Sequence, residues 1–407
     1  MQDPRNISIK DYTYELPEER IARYPLAERD SSKLLLWRDG HITDKNFRAL
    51  TEHLPPNSAL VFNHSSVIKA RLLFKSVTGA VIEIFCLEPE HGNEQGLFSK
   101  SGVLWKCMVG RLKKWKEETL LCGKENIELQ ARILRKEQDH VLIKFSWQPV
   151  ELTFSEVLQR LGVLPIPPYL NRPTETIDQT RYQTVYAKDE GSVAAPTAGL
   201  HFTPQVLEAV KKKDIPVFEL SLHVGSGTFK PVKADLLKDH PMHAEWMSID
   251  IHTVEQLQQA GNRALIAVGT TSLRALESLY WLGCKIAAGA VDEQQPEVGQ
   301  WEPYAGEHAV ISAAEALSAI SKYMNGKGLQ RLVCRTSILI APPYKLKMAR
   351  GLITNFHQPQ STLLLLVAAI AGDGWRKIYE HALENNYRFL SYGDSSLLLP
   401  SAHENTC

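Results

Sequence analysis

The segment GSVAAPTAGLHFT, residues 191–203, sets one titratable ring, His201, after a run of small residues broken by Pro196 and Gly199. Small side chains let backbone amides and carbonyls approach a ligand closely, proline fixes the loop, and Thr197 and His201 supply polar tips. Tight packing between two elements, with His201 bonded to a carbonyl, accounts for the same residues, and spacing does not separate the two readings. In LHVGSGTFKPV a strand carrying His223 breaks at Gly225, Ser226, Gly227 and Thr228. Such a turn can offer N–H groups to an anion or a ribose, and it also serves as an ordinary hairpin turn. MHAEWMSI alternates His243 and Glu245 with apolar neighbours, so the two share a face if the segment is a strand. An imidazole beside a carboxylate can act as acid and base or hold a diol; a surface ion pair is the plainer use.

Three further segments carry polar tips at junctions. In VGTTSLRALES, Gly269, Thr270 and Thr271 end a strand, Ser272 is placed as an N-cap, and Arg274 falls in the first helical turn. Helix N-termini after strands expose N–H groups and a favourable dipole, although a cap alone explains the serine. LITNFHQPQSTLLLLVAAIAG delivers Asn355 and His357 from a strand, turns at Pro359, and starts an apolar helix at Ser361 and Thr362, as a pocket wall would. YRFLSYGDSSLL puts Tyr392 and Asp394 on a glycine-containing turn that by itself implies nothing more. Among the basic runs, RLKKWK is the best nucleic-acid candidate, because Trp115 can stack or lie beside phosphate-bound Lys113 and Lys114; a solvated face is the plain reading.

The elements that must hold these residues follow from periodicity. Between residues 70 and 155 the chain runs in short alternating or β-branched stretches, such as AVIEIFCLE and HVLIKFSW, which predict an all-β module of five or six strands. The rest alternates helical and strand patterns. We expect a mixed α/β (α+β) main domain, residues 1–69 and 156–407, with the 70–155 barrel-like module inserted. ISAAEALSAISKYMNGKG, residues 311–328, reads as a helix stopped at Asn325 and Gly326.

Composition narrows the function classes. With 44% hydrophobic and 23% charged residues the 407-residue chain is an ordinary globular sequence. Lys+Arg and Asp+Glu both number 46, so a polyanion must be held by a local patch rather than a global field. Six cysteines without C-x-x-C pairs or nearby histidines at zinc spacing argue against a disulfide framework and a structural metal, and predict a reducing, cytoplasmic setting. The longest apolar stretch, Leu363 to Ala371, is about half the roughly 20 residues of a membrane span, and so predicts a buried helix and no membrane association.

The order of the motifs is more specific than any one of them. YELPEERIARYPLAERDSSKLL, PPY, YQTVYAKDEGSVAAPTAGLHFT, LHVGSGTF, MHAEW, AVGTTSLRALES, GLITNFHQPQSTLLLLVAAIAG and YRFLSYGDSSLL run from about residue 8 to 397. In that order they resemble the S-adenosylmethionine:tRNA ribosyltransferase-isomerases of queuosine biosynthesis. The resemblance implies transfer of the ribosyl part of S-adenosylmethionine to 7-aminomethyl-7-deazaguanine in a tRNA, rearranged to epoxyqueuosine with release of adenine and methionine. It implies no metal and no cofactor, since S-adenosylmethionine is a consumed co-substrate, and we expect a monomer. His201 is the first candidate for proton transfer, with His243 and Glu245 beside it. Thr197, Gly199, His223, Gly227, Thr228, Thr271, Arg274, Asn355, His357, Tyr392 and Asp394 are candidates for holding substrate.

The chain also departs from the family's pattern. Asn63 is followed by His64, Ser65 and Ser66 where Asp-Thr-Arg is usual, and Ser337, Pro343, Arg350 and Gln360 replace Asp, Gly, Asp and Lys. The helix at 311–328 reads as an insertion relative to shorter members. Two rivals therefore stand beside the main reading: an enzyme of this fold acting on another acceptor, and a tRNA-binding protein without turnover.

Overall fold

The computed structural model describes residues 3–90, 93–124, 126–225, 232, 234–306 and 309–400. Gly227 and Thr228 lie outside the described residues. Eighteen strands are described. The first four are β1 (Lys33–Arg38), β2 (His41–Asn46), β3 (Ser58–Asn63) and β4 (Ser65–Val67). The next six are β5 (Arg71–Lys75), β6 (Val81–Pro89), β7 (Gly102–Gly110), β8 (Thr119–Lys124), β9 (Ile127–Lys136) and β10 (Val141–Gln148). After these come β11 (Asp189–Ser192), β12 (Val217–His223), β13 (Glu245–Asp250) and β14 (Ala264–Val268). The last are β15 (Glu297–Val298), β16 (Arg331–Thr336), β17 (Ala349–Asn355) and β18 (Ser395–Leu399).

Ten strands form one mixed sheet in the order β15-β16-β13-β12-β3-β14-β17-β18-β1-β2. Its centre, β12-β3-β14-β17, is parallel throughout. A parallel centre must be covered on both faces, and the sequence supplies that with near-continuous apolar runs. Ala59 and Val61 of β3 join a core built with the Thr270–Ala287 and Thr362–Ala371 helices, whereas Leu60 and Phe62 join a second core with the Pro204–Lys212 helix. β14 divides in the same way: Leu265 and Ala267 face one core, Ile266 and Val268 the other. The apolar stretch from Leu363 is accordingly a buried helix, capped by the Ser361 side chain. No described helix is long and apolar enough to cross a membrane.

The six strands β5 to β10 form a separate antiparallel sheet, β5-β6-β7-β10-β9-β8, and its two edge strands lie against each other, so the sheet is a nearly closed barrel. The α/β sheet with an inserted β-barrel that the strand patterns predict is therefore the observed architecture. Alternation along β9 sends Ile127, Leu129 and Ala131 inward and Glu128, Gln130 and Arg132 outward. The Phe154–Leu161 helix, begun by a Thr153/Glu156 capping box, drives Phe154 into the barrel, where it meets Trp105, Phe145 and Trp147 at ring distances of 5.0 to 5.3 Å. The helix that follows the last barrel strand thus completes the barrel's core.

Two local expectations are corrected. The helix near 311–328 spans Ala313–Lys327 and passes through Asn325 and Gly326; it stops at Gly328, whose φ of 66° is the left-handed geometry that ends helices. Ser272 is not an N-cap: the helix starts at Thr270 after Gly269, and the Ser272 hydroxyl donates to the Val268 carbonyl at 2.7 Å.

Candidate active site

Two of the central parallel strands end at one cavity of about 370 Å³. β14 runs into Gly269, Thr270 and Thr271 and the helix behind them; β17 runs into Asn355, Phe356 and His357. Ligands of open α/β sheets collect at the carboxyl ends of such strands, because loops and helix N-termini converge there. The loop from Ala194 to Ala198 closes one side, and the segment from Asp239 to Glu245 another.

The polar wall is set by the Thr270–Ala287 helix. Arg274, buried, makes a charge-assisted hydrogen bond to the Glu245 carboxylate, and its Nε donates to the Ile338 carbonyl at 3.3 Å. Glu245 Oε1 also accepts the Gly225 N–H at 3.1 Å. After these contacts Arg274 Nη2 and Thr271 Oγ1 are buried with no hydrogen-bond partner among the described residues. They sit one helical turn apart beside a helix N-terminus, whose first N–H groups have no intrahelical acceptor. Buried donors are normally paired, which makes these two the wall's first candidates for contact with a ligand.

Thr197 and Asn355 continue the wall. Thr197 Oγ1 donates to Asn355 Oδ1 at 2.9 Å, and Asn355 Nδ2 lies 3.2 Å from His201 Nε2. With Nε2 accepting, the proton of His201 is on Nδ1, which faces Ser32 Oγ at 2.9 Å. His201 is therefore not on the cavity surface, against expectation; it stands behind Asn355 and lines a pocket of about 20 Å³ with Tyr392 and Arg388. Burial first, then the nearby Arg388 charge, pulls its pKa down to about 3, so the ring is neutral. The physical cause of the displacement is the 3-10 turn Thr197–His201, which points Thr197 inward and carries His201 to the far side. His357 does line the cavity; its Nε2 meets Thr354 Oγ1 at 2.9 Å, and burial lowers its pKa to about 3.

Three expected substrate contacts have structural duties instead. A Cβ on Gly199 would stand 1.9 Å from the Tyr186 hydroxyl, so this glycine permits packing rather than ligand approach. Tyr392 donates to Asp178 at 2.8 Å. Asp394 accepts the backbone N–H groups of Lys33 and Arg388 at 3.0 and 2.8 Å, which pins the turn before β18 to β1. Neither Tyr392 nor Asp394 lines the cavity.

His223 belongs to a second groove, about 170 Å³, that shares Val224, His243 and Glu245 with the cavity. Its Nδ1 is buried without a hydrogen-bond partner among the described residues, and burial, only partly opposed by Asp189, lowers its pKa to about 4. His243 is exposed and lines both spaces, just before β13 rather than on it. The structure thus gathers Thr197, His243, Glu245, Thr271, Arg274, Asn355 and His357 around one cavity. Sequence reasoning missed Tyr169 and Ser391, whose hydroxyls are hydrogen-bonded in the same wall; PPY and the residue before Tyr392 were the available signals.

The departures at 64 and 66 fall elsewhere. His64 Nε2 meets Asp189 at 3.2 Å and helps hold that carboxyl well below the usual range, and Ser66 Oγ accepts from Gln183 at 3.0 Å. Both lie at β4, outside the cavity wall. Trp115 is also corrected: it is buried in the barrel core and offers no stacking face, while Lys113 and Lys114 are exposed. Among the described residues no cluster of three or more His, Cys, Asp or Glu could hold a metal ion.

Fold and site together define a mixed α/β protein with a candidate active-site cavity at the ends of its parallel strands. Residues 9–398 match the family described as "Queuosine biosynthesis protein". Over 400 residues the chain is 38% identical to the S-adenosylmethionine:tRNA ribosyltransferase-isomerases of Thermotoga petrophila and Thermotoga maritima, covering 97% of this chain and 100% of each relative. A crystal structure of the S-adenosylmethionine tRNA ribosyltransferase from Thermotoga maritima aligns over 96% of this chain and 100% of that one, at 28% identity and a TM-score of 0.46. This chain belongs to the queuosine biosynthesis protein family.

Proposed function

We propose that this chain transfers the ribosyl part of S-adenosylmethionine to 7-aminomethyl-7-deazaguanine in a tRNA and isomerises it, giving epoxyqueuosine and releasing adenine and methionine. The observation that carries this reading is the 38% identity to ribosyltransferase-isomerases over 97% of the chain. The cavity supports it. Thr271 and Arg274 present unpaired donors to the polar groups of a nucleoside or amino acid, and the apolar residues around them keep water from the reacting ribose. Glu245 orients the Arg274 guanidinium; His243, on the lip shared by cavity and groove, is placed to carry protons between donor and acceptor. His201 acts through Asn355, fixing the amide that holds Thr197.

S-adenosylmethionine is consumed in this scheme as a co-substrate, and no metal or further cofactor takes part. The protein works as a cytoplasmic monomer, with the main domain of residues 1–69 and 156–407 carrying the donor site and the inserted module of 70–155 meeting the tRNA, in part through Lys113 and Lys114. The binding-only alternative drew on the changed residues at 64 and 66, and these lie outside the cavity. Purified protein incubated with S-adenosylmethionine and a tRNA carrying 7-aminomethyl-7-deazaguanine should yield epoxyqueuosine by mass spectrometry and an equal amount of adenine. Adenine without modified tRNA would point to another acceptor, and neither product from folded protein would sink the proposal.

A further inference from the structure

The second groove lies where the barrel meets the edge of the large sheet. One side is formed by barrel residues, including the Glu88–Lys106 pair at 2.7 Å and the Asp139–His140 pair at 2.7 Å. The other side is a row of three residues directly opposed across neighbouring antiparallel strands: His223 on β12 pairs with Trp246 on β13, which pairs with Arg335 on β16. Residues opposed in this way stand on one face of a sheet, and all three line the groove. The Arg335 guanidinium lies over the Trp246 ring, 5.3 Å from its centroid. Two polar atoms of the row, His223 Nδ1 and Arg335 Nε, are buried with no hydrogen-bond partner among the described residues. A planar cation on an indole, flanked by an unpaired imidazole nitrogen, is a surface for a flat ring with hydrogen-bonding edges.

The groove is separate from the larger cavity but touches it at Val224, His243 and Glu245. We infer that the row His223–Trp246–Arg335 is the platform that receives the extruded acceptor nucleobase of the polynucleotide, while the larger cavity holds the ribosyl donor. The inference rests on the function proposed above and divides its site in two. A base held on Trp246 and Arg335 presents an edge to His223 and reaches the donor across the shared wall at His243. Enzymes that modify a base within a nucleic acid take it out of the stack and read it by stacking and edge contacts in this way. The neutral imidazole of His223 suits an uncharged edge, because burial holds its pKa at about 4.

The test is steady-state kinetics of epoxyqueuosine formation, varying tRNA and S-adenosylmethionine separately, for the wild type, Trp246→Leu, Trp246→Phe and Arg335→Gln. Trp246→Leu should raise the KM for the tRNA roughly tenfold or more, leave the KM for S-adenosylmethionine unchanged, and be largely rescued in Trp246→Phe. Arg335→Gln should shift the tRNA KM in the same direction, which keeps the test decisive if the leucine variant does not fold. An inactive wild type would refute the function itself. An active wild type whose variants keep the tRNA KM, or raise that of S-adenosylmethionine instead, would overturn the platform alone.

Discussion

Thr271 Oγ1 and Arg274 Nη2, without partners among the described residues, are costly to leave buried and unpaired, about 1–3 kcal/mol for a group of this kind, and both residues stand in the cavity wall. Thr271→Val keeps the shape and removes only the hydroxyl. It should raise the unfolding free energy of the ligand-free protein by about 1–3 kcal/mol, because the unpaired hydroxyl is gone, and raise the KM for S-adenosylmethionine several-fold, as expected for one hydrogen bond. Arg274→Gln is different, because it strands the Glu245 carboxylate in the interior; urea unfolding should show a loss of about 3–5 kcal/mol, partly recovered in the double variant with Glu245→Gln. Acid sensitivity also begins with single residues. His201, His223 and His357 have folded pKa values of about 3, 4 and 3, below the roughly 6.5 of an unfolded chain. Below pH 6.5 the unfolded chain takes up protons that the folded chain refuses, so stability falls by about 1.4 kcal/mol per pH unit for each ring. The loss levels off near the folded values, and above about pH 7 these rings add no pH dependence. Urea midpoints at pH 7.5 and 5.5 should show the drop, and His357→Gln should remove one ring's share of it.

The elements hold the site through close approaches more than through charge. The Thr270–Ala287 helix, which carries Thr271 and Arg274, packs on the Ala313–Lys327 helix at Gly283, where a Cβ would stand 2.6 Å from the Ala316 carbonyl. Gly283→Ala must therefore separate the two helices; we expect a stability loss of about 1–3 kcal/mol, read as a lower thermal midpoint. The same helix carries Glu277, which accepts the backbone N–H groups of Lys347, Met348 and Ala349 and the Tyr344 hydroxyl, and so ties the chain entering β17 to the helix leaving β14. Both strands that feed the cavity are thereby fixed to one rod. These helices and strands were legible in periodicity, since an apolar stripe or an alternating run dictates its own burial. The 3-10 turn at Thr197–His201 was not, because five residues of mixed size carry no period and their direction is set by Asn355 and Ser32 from elsewhere.

For the molecule as a whole, charge balance decides how tRNA is held. Equal numbers of acidic and basic residues leave no long-range field, and with Trp115 buried the exposed Lys113 and Lys114 can contribute only as charges. Reversing both, Lys113→Glu with Lys114→Glu, should weaken tRNA binding and lower the slope of log affinity against log salt by about one to two. Filter binding across a salt series measures this, and an unchanged slope would remove the pair from the tRNA surface. The position of the groove between barrel and sheet makes the inserted barrel part of the site as well as a neighbour to it.

The sequence alone determined what depends on local order. Strand and helix patterns, the inserted β region and the succession of motifs were readable because burial at a fixed period and turn chemistry are properties of contiguous residues. It also marked the residues that meet at the ends of β14 and β17, since glycines and hydroxyls at strand ends are local signals. Tertiary structure decided which of the marked residues reach a common space. Thr197 and His201 share one motif, yet only the first faces the cavity; Asp394 has its carboxylate consumed by two backbone amides. The row His223–Trp246–Arg335 spans three strands that are distant in the chain, and only the pairing of β12, β13 and β16 brings it together. Side-chain direction and hydrogen-bond consumption are set by partners far along the chain, and no local pattern encodes them.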